Sequence, residues 1–164
     1  MFLESNAIII RQFNMSDASE LSKFLSSEYV ATWMPGWFKC AEFVDEWLIE
    51  TIDNYNNDFK EVNCYAVVEK ESDAVIGRAD CIIHDDDLVE AAIVLSPDYI
   101  EKGHLTESYK IFLKYLQDKH KDKQIEVISQ AENALETEAI EKIGLRLSEV
   151  NQVKEIRTYN HYGA

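Results

Sequence analysis

The amino-acid sequence predicts one α+β domain. Its 164 residues, 46% apolar and 11% aromatic, are enough to bury a core without disulfides or metals. Runs rich in isoleucine and valine, which favour strands, are interspersed with segments whose apolar residues recur at helical spacing. The chain has no internal repeat, low-complexity tract or linker, so we expect residues 1–164 to form a single domain.

The first third of the chain is predicted to hold one strand and two helices. The strand is rich in isoleucine, and Ser16 is a suitable N-cap for the helix that follows it. A proline–glycine pair between tryptophans predicts a turn before the second helix. These elements are a strand at Ala7–Phe13, a helix from Ser16 to about Ser26, a turn at Trp33–Phe38 and a helix from about Ala41 to Tyr55.

The rest of the chain is predicted to alternate between strands and helices. A hairpin comes first, and a run of three aspartates precedes the strand that leads into the longest helix. Gly144 is placed to end the last helix. The predicted elements are strands at Asn63–Glu69, Ala74–Ile83, Leu88–Leu95 and Gln124–Gln130, helices after Gly103 and at Ala134–Ile143, and final strands at Leu145–Val150 and Val153–Tyr159.

Composition excludes several classes of function. A net charge of −15 argues against nucleic acid, which needs a basic surface. No apolar run is long enough to span a bilayer, and Met1–Asn6 lacks the features of a signal peptide. Cys40, Cys64 and Cys81 have no metal-ligand spacing, so we expect reduced thiols in a cytoplasmic protein and no metal.

The charge is unevenly distributed along the chain. Between Lys102 and Lys123, six lysines face three acidic residues, whereas the other ten basic residues face twenty-eight acidic ones. The lysines are either a binding surface for an anion or an ordinary solvated helix face. The acidic remainder would attract a cationic substrate, and it would equally well keep the protein soluble.

The segment Leu95–Glu107 carries the strongest functional signal. A strand, a short turn with glycine and a helix start form a cradle whose backbone N–H groups point at an anion. The segment resembles the acetyl-CoA loop of the GNAT superfamily of N-acyltransferases, in the form found in the branch that acetylates ribosomal-protein N-termini. Six residues match that form (Pro97, Tyr99, Lys102, Gly103, Thr106 and Glu107), and three do not (Ile100, Glu101 and Leu105).

Two further segments extend the resemblance over nearly the whole chain. Ile8–Ala18 resembles the first strand of the family and its entry into the first helix. Asn133, eleven residues before Gly144, resembles the family's Asn-x-x-Ser-x-x-x-Leu-Glu-Lys-x-Gly-Phe, with Glu136 in the serine position. The resemblance implies a GNAT-like fold, which has a central, mostly antiparallel mixed sheet flanked by helices.

The resemblance also implies acetyl-CoA as co-substrate and a set of site residues. Glu90 corresponds to a strand glutamate that is a candidate general base; an ordinary solvent-facing carboxylate is the alternative. Trp33, Trp37 and Glu136 fall where the acceptor pocket would lie, and packing or surface roles are open for each. The residues implied for the cofactor are Ile93, Val94 and Leu95 through their backbone, with Lys102, Gly103, His104, Leu105, Thr106 and Asn133.

The function predicted from these parts is transfer of an acetyl group from acetyl-CoA to a primary amine, either a protein N-terminus or a small amine. Glu101 opposes a pyrophosphate by its charge, and Ile140 stands where many relatives have a tyrosine general acid. These departures leave an alternative, a non-catalytic GNAT-fold binding protein with an altered cofactor site. The sequence does not exclude a homodimer.

Overall fold

A computed structural model describes residues 1–55, 62–84, 87–130, 132–151 and 156–160, and the side chains of these ranges up to residue 145. Within these ranges no helix is long and apolar enough to cross a membrane. Part of the predicted aspartate turn, at Asp85 and Asp86, and the start of the last predicted strand lie outside the described residues.

Eight strands of the described residues form one sheet in the order β1-β2-β3-β4-β5-β6-β8-β7. Neighbouring strands are antiparallel except for β5 and β6, which are parallel. This arrangement confirms the predicted mostly antiparallel mixed sheet. The strands are β1 (Phe2–Glu4), β2 (Ile8–Arg11), β3 (Val62–Glu69), β4 (Ala74–Ile83), β5 (Leu88–Leu95), β6 (Gln124–Gln130), β7 (Arg146–Asn151) and β8 (Ile156–Asn160).

Helices cover both faces of the sheet, as the predicted fold class requires. On one face, Tyr109 and Phe112 of the longest helix lie in a buried cluster with Ile8, Val67 and Ile93. On the other face, the first helices of the chain pack on alternate residues of β3 and on Val75 of β4. The helices are α1 (Ala18–Leu25), α2 (Glu28–Trp33), α3 (Pro35–Phe38), α4 (Val44–Asn54), α5 (Pro97–Glu101), α6 (His104–Lys119) and α7 (Ala134–Lys142).

Two local predictions in the first third of the chain are wrong. The cap of the first helical segment is Asn14 rather than Ser16, because the Asn14 side chain accepts from the Ser16 N–H while Asp17 accepts from the Asn14 N–H. The predicted turn at Trp33–Phe38 is helical, with α2 ending at Trp33 and α3 beginning at Pro35. Proline is well tolerated in the first turn of a helix, so the Pro35–Gly36 pair marks a start instead of a break.

The β5 and β6 strands separate at their carboxyl ends. Their pairing runs from Leu88 opposite Gln124 to Ala91 opposite Val127. Both strands continue past this register, β5 to Leu95 and β6 to Gln130. The opening between their ends is where the candidate site lies.

Candidate active site

A pocket of about 180 Å³ lies at the opening between β5 and β6. Its walls come from the ends of these two strands, from β4, from the α2–α3 segment and from the first turn of α7. The predicted acceptor residues Trp33, Trp37 and Glu136 all line it. The other lining residues are Met34, Arg78, Asp80, Ala92, Val94, Ile128, Ser129 and Gln130.

Glu136 is a buried carboxyl in the pocket wall, with 6% of its surface exposed. Asn133 caps α7 and positions it: the Asn133 Oδ1 accepts from the Glu136 N–H, and the Asn133 Nδ2 donates to the Glu136 Oε2 at 3.2 Å and to the Tyr29 Oη at 2.7 Å. Burial raises the pKa of Glu136 to about 8, although hydrogen bonds from Ser129 and Asn133 act in the opposite direction. Glu136 is therefore mostly protonated at neutral pH.

Asn133 connects α2 to α7 through its side chain. Its amide nitrogen donates to Tyr29 and Glu136, and its amide oxygen accepts from the helix. The sequence predicted Asn133 as a cofactor residue. In the structure it contacts Glu136 at the acceptor pocket, and its role toward the cofactor stays a prediction.

Arg78 and Asp80 form an ion pair in the pocket that the sequence analysis did not single out. The Arg78 Nη2 lies 2.7 Å from the Asp80 Oδ2, with side-chain exposures of 6% and 14%. Burial raises the pKa of Asp80, and the adjacent Arg78 opposes this. The sequence contained a signal for this pair, since Arg78 and Asp80 are two residues apart in an otherwise apolar strand. Residues i and i+2 share a face of a sheet, so the two opposite charges are expected to be neighbours.

The aromatic wall of the pocket is supported by a cation–π contact and an edge-to-face ring contact. The Arg78 guanidinium carbon lies 3.2 Å from the centre of the Trp37 ring, which is a cation–π contact. Trp37 in turn packs edge to face on Trp47, with ring centres 5.5 Å apart. Trp37 thus covers the buried ion pair and faces the pocket at the same time.

Glu90 lies on β5, on the same face as Ala92 and Val94 but farther from the end of the strand. Its Oε2 is 3.2 Å from the Nε2 of His84, and the two side chains are 26% and 37% exposed. Among the described residues that line the pocket, the acids are Asp80 and Glu136, so the structure does not bring Glu90 into the pocket with them.

The predicted anion cradle is formed by α5, Lys102, Gly103 and the start of α6. Gly103 has a φ of +85°, the left-handed conformation that glycine adopts without strain, and it precedes the first turn of α6. The first N–H groups of this turn have no partner within the helix. Leu105 is fully buried in the core, and the Thr106 hydroxyl donates to the Ala139 carbonyl at 3.4 Å.

The side chains of Lys102 and His104 turn toward an acidic residue that the sequence analysis missed. The Glu69 Oε1, at the end of β3, is 3.0 Å from the His104 Nε2 and 3.4 Å from the Lys102 Nζ. Hydrogen bonds from Ser72, His104 and Lys102 lower the pKa of Glu69. No local sequence signal marks Glu69, because it lies 33 residues before Lys102 and meets it only through the sheet.

The remaining residues predicted for the cofactor, Ile93, Val94 and Leu95, lie at the end of β5. The Ile93 N–H donates to the Tyr109 hydroxyl at 3.0 Å, so this amide already has a buried partner. Val94 lines the pocket, and Leu95 is opposite Gly77 on β4. A side chain at position 77 would collide with the Val94 carbonyl, so glycine is required where β4 and β5 approach here.

The sequence and the fold correspond to those of known acetyltransferases. The model of the acetyltransferase (GNAT) domain matches residues 7–146, and the chain therefore belongs to this family of acetyl-CoA-dependent N-acetyltransferases. No sequence among the curated proteins matches the chain significantly.

Three solved structures illustrate the similarity of fold. A GNAT-family acetyltransferase from Bacillus anthracis superimposes with a TM-score of 0.81 at 19% identity, covering 98% of both chains. A ribosomal-protein-S5-alanine acetyltransferase from Vibrio fischeri gives 0.77 at 13% identity, covering 98% of this chain and 96% of that one. RimL, a ribosomal L7/L12 alpha-N-protein acetyltransferase in complex with coenzyme A, gives 0.79 at 10% identity, covering 98% and 97%.

The backbone of the site fits acetyl-CoA better than its side chains do. The cradle has a left-handed glycine and free space around it, and β5 extends beyond its pairing with β6. The N–H groups at the start of α6 would hold the phosphates, and the end of β5 would hold the pantetheine arm. The nearest basic side chains, Lys102 and His104, are already in contact with Glu69.

Proposed function

We propose that this protein transfers an acetyl group from acetyl-CoA to a primary amine bound in the pocket between β5 and β6. The acceptor is a protein N-terminus or a small amine, and we expect the reaction to take place in the cytoplasm. The observation that carries the proposal is Glu136: a buried carboxyl whose pKa is raised to about 8, facing a pocket next to the backbone of β5.

Glu136 supplies the proton that acetyl transfer needs at neutral pH. Acetyl-CoA, when bound, provides a thioester whose sulfur leaves as the amine is acylated. A group with a pKa close to the working pH exchanges protons efficiently. As the C–N bond forms and the C–S bond breaks, protonated Glu136 donates to the departing sulfur, in the place of the serine of the related branch and of the tyrosine missing at Ile140. The proton that the amine loses passes through water to Glu90, which lies two residues before Ala92 on the same face of β5. Asn133 and Ser129 hold the carboxyl in place.

The acceptor end of the pocket suits an ammonium group flanked by apolar atoms. Asp80, whose charge is balanced by Arg78, provides carboxylate oxygens that can accept hydrogen bonds from an amine, and Trp33 provides an aromatic ring that attracts cations. The acidic surface of the chain favours the approach of a cation. The ribosomal-protein acetyltransferases among the structural neighbours support a protein N-terminus as one form of the acceptor.

Steady-state release of the CoA thiol, with basic peptides and polyamines as acceptors, tests the proposal. Glu136→Gln keeps the shape and the contact with Asn133 but has no proton to donate, so we expect a fall in kcat of about 100-fold, within the range for general acid catalysis. Glu138→Gln is the matched control, because Glu138 lies on the same helix in an exposed ion pair with Lys142. It should retain full activity.

The pH profile separates a chemical role of Glu136 from a structural one. Wild-type activity should decline as pH rises through about 8 and Glu136 ionises, and this ionisation should be missing from the residual activity of Glu136→Gln. Full activity in Glu136→Gln would remove Glu136 from the mechanism. Binding of acetyl-CoA without turnover of any amine would favour the non-catalytic alternative.

A further inference from the structure

The Glu69 carboxylate contacts the two basic side chains of the anion cradle, Lys102 and His104. We infer that Glu69 competes with the phosphates of CoA for Lys102 and His104, and so sets the affinity for the co-substrate. The inference rests on the proposed use of acetyl-CoA. Glu69 lies on β3, outside the sequence segment that forms the cradle.

The position of Glu69 is fixed by the hairpin between β3 and β4. Glu69 is the last residue of β3 and pairs with Ile8 on one side and Ala74 on the other. Its Oε2 accepts from the Ser72 hydroxyl at 2.7 Å, and only 9% of the side chain is exposed. A carboxylate held in this way is presented to the cradle without further loss of side-chain entropy.

The Lys102 and His104 side chains both contact the Tyr99 ring on their other side. The His104 ring stacks on Tyr99 with centres 5.9 Å apart, and the Lys102 Nζ lies 4.6 Å from the centre of the same ring. Lys102 is 56% exposed and His104 is 12% exposed. Lys102 can therefore turn toward a ligand, whereas His104 is confined between Tyr99 and Glu69.

Competition follows from the charges at these distances. The Glu69 carboxylate, at 3.0–3.4 Å, already pairs with the Lys102 ammonium and the His104 imidazole, the two side chains that would contact a phosphate. Glu69 itself repels an approaching anion, and Glu101 adds a second negative charge at the end of α5. Binding of a phosphate then requires these contacts to be shared or broken. If Glu69 instead positioned Lys102 and His104 for contact with CoA, the substitution Glu69→Gln would weaken the binding of CoA.

Calorimetry on the ligand-free protein distinguishes the two roles. Glu69→Gln keeps the size of the side chain and its contact with Ser72 but removes the charge. We expect its dissociation constant for CoA to fall about tenfold, the scale of a charge effect of about 1.4 kcal/mol, while binding of pantetheine, which lacks phosphates, stays unchanged. Glu71→Gln is the matched control, because Glu71 is an exposed acid of the same hairpin.

A double-mutant cycle with Lys102→Met tests the mechanism of competition. In the wild-type background Lys102→Met should change CoA affinity less than twofold, because Glu69 already neutralises Lys102. In the Glu69→Gln background it should cost about fivefold. Thermal unfolding of each variant shows that the comparison is made between folded proteins.

Equal or weaker CoA binding by Glu69→Gln would overturn the competition and leave acetyl transfer in place. The absence of CoA binding in the wild type and in Glu69→Gln alike would overturn both the competition and the proposed function. Tighter binding of pantetheine as well as CoA would also contradict the inference, because the effect would then not act through the phosphates.

Discussion

Glu136→Gln should make the stability of the protein much less dependent on pH. The folded-state pKa of Glu136 is about 8, against an ordinary value of 4.5. Because the pKa is raised on folding, the native state binds this proton more tightly than the unfolded chain does. The stabilisation is fully present below about pH 4.5 and is lost progressively as pH rises toward 8.

The size of the effect follows from the burial of the carboxyl. Each pH unit between these two pKa values changes the free energy of unfolding by about 1.4 kcal/mol, which gives an effect on the order of 3 to 5 kcal/mol. A domain of this size has a total stability of about 5 to 15 kcal/mol. Wild-type protein should therefore lose a large share of its stability between pH 5 and pH 8.5 through Glu136 alone.

Urea unfolding of wild type, Glu136→Gln and Glu138→Gln at pH 5, 7 and 8.5 measures this effect. Glutamine has no proton to lose, so Glu136→Gln should be close to wild type at pH 5 and more stable by several kcal/mol at pH 8.5. The exposed Glu138 control should follow wild type at every pH. If the free energies of unfolding of wild type and Glu136→Gln changed equally with pH, this result would refute the raised pKa of Glu136 and the burial on which it depends.

Four other outcomes are expected. Glu101→Gly should bind acetyl-CoA more tightly in calorimetry by removing a like charge from the cradle, and unchanged affinity would contradict this. Glu90→Gln should lower the acetylation rate strongly without changing CoA affinity, because Glu90 takes up the proton that the amine loses, and full activity at pH 7 would exclude that role. Tyr109→Phe should destabilise the protein by about 1–3 kcal/mol in urea unfolding, because the buried Ile93 N–H loses its acceptor; an unchanged midpoint would argue against that bond. Salt should raise the KM for a cationic amine, since about 0.15 M screens charges beyond roughly 8 Å; a KM indifferent to salt would leave solubility as the reason for the acidic surface.

The fold was predictable because its signals are local. Isoleucine-rich and valine-rich runs coincide with β2, β4 and β5, and the helical spacing of Leu105, Tyr109 and Phe112 coincides with the buried face of α6. Short elements were not predictable in this way. The α2 helix, the four residues of α3 and the edge strand β1 depend on packing against the sheet more than on their own pattern.

The site was predictable in part, where its residues belong to local sequence motifs. The sequence indicated Trp33, Trp37 and Glu136 as acceptor residues, and the fold brings all three to one pocket. It did not indicate Arg78 and Asp80, whose role depends on which face of β4 is turned toward α3. The sequence also could not show that Glu69 contacts Lys102 and His104. Contacts between residues far apart in the sequence produce no regular spacing along the chain.

Analysis of the reaction products is the most direct test of acetyl transfer to an amine in this pocket. Acetyl-CoA is incubated with the protein and with two versions of one basic, lysine-free peptide, with its N-terminus free or blocked, and with a polyamine. Mass spectrometry should find an acetyl group on a free primary amine with wild type and with Glu138→Gln, and very little with Glu136→Gln. If acetyl-CoA binds in calorimetry and every amine nevertheless stays unmodified, this result would contradict acetyl transfer by the protein.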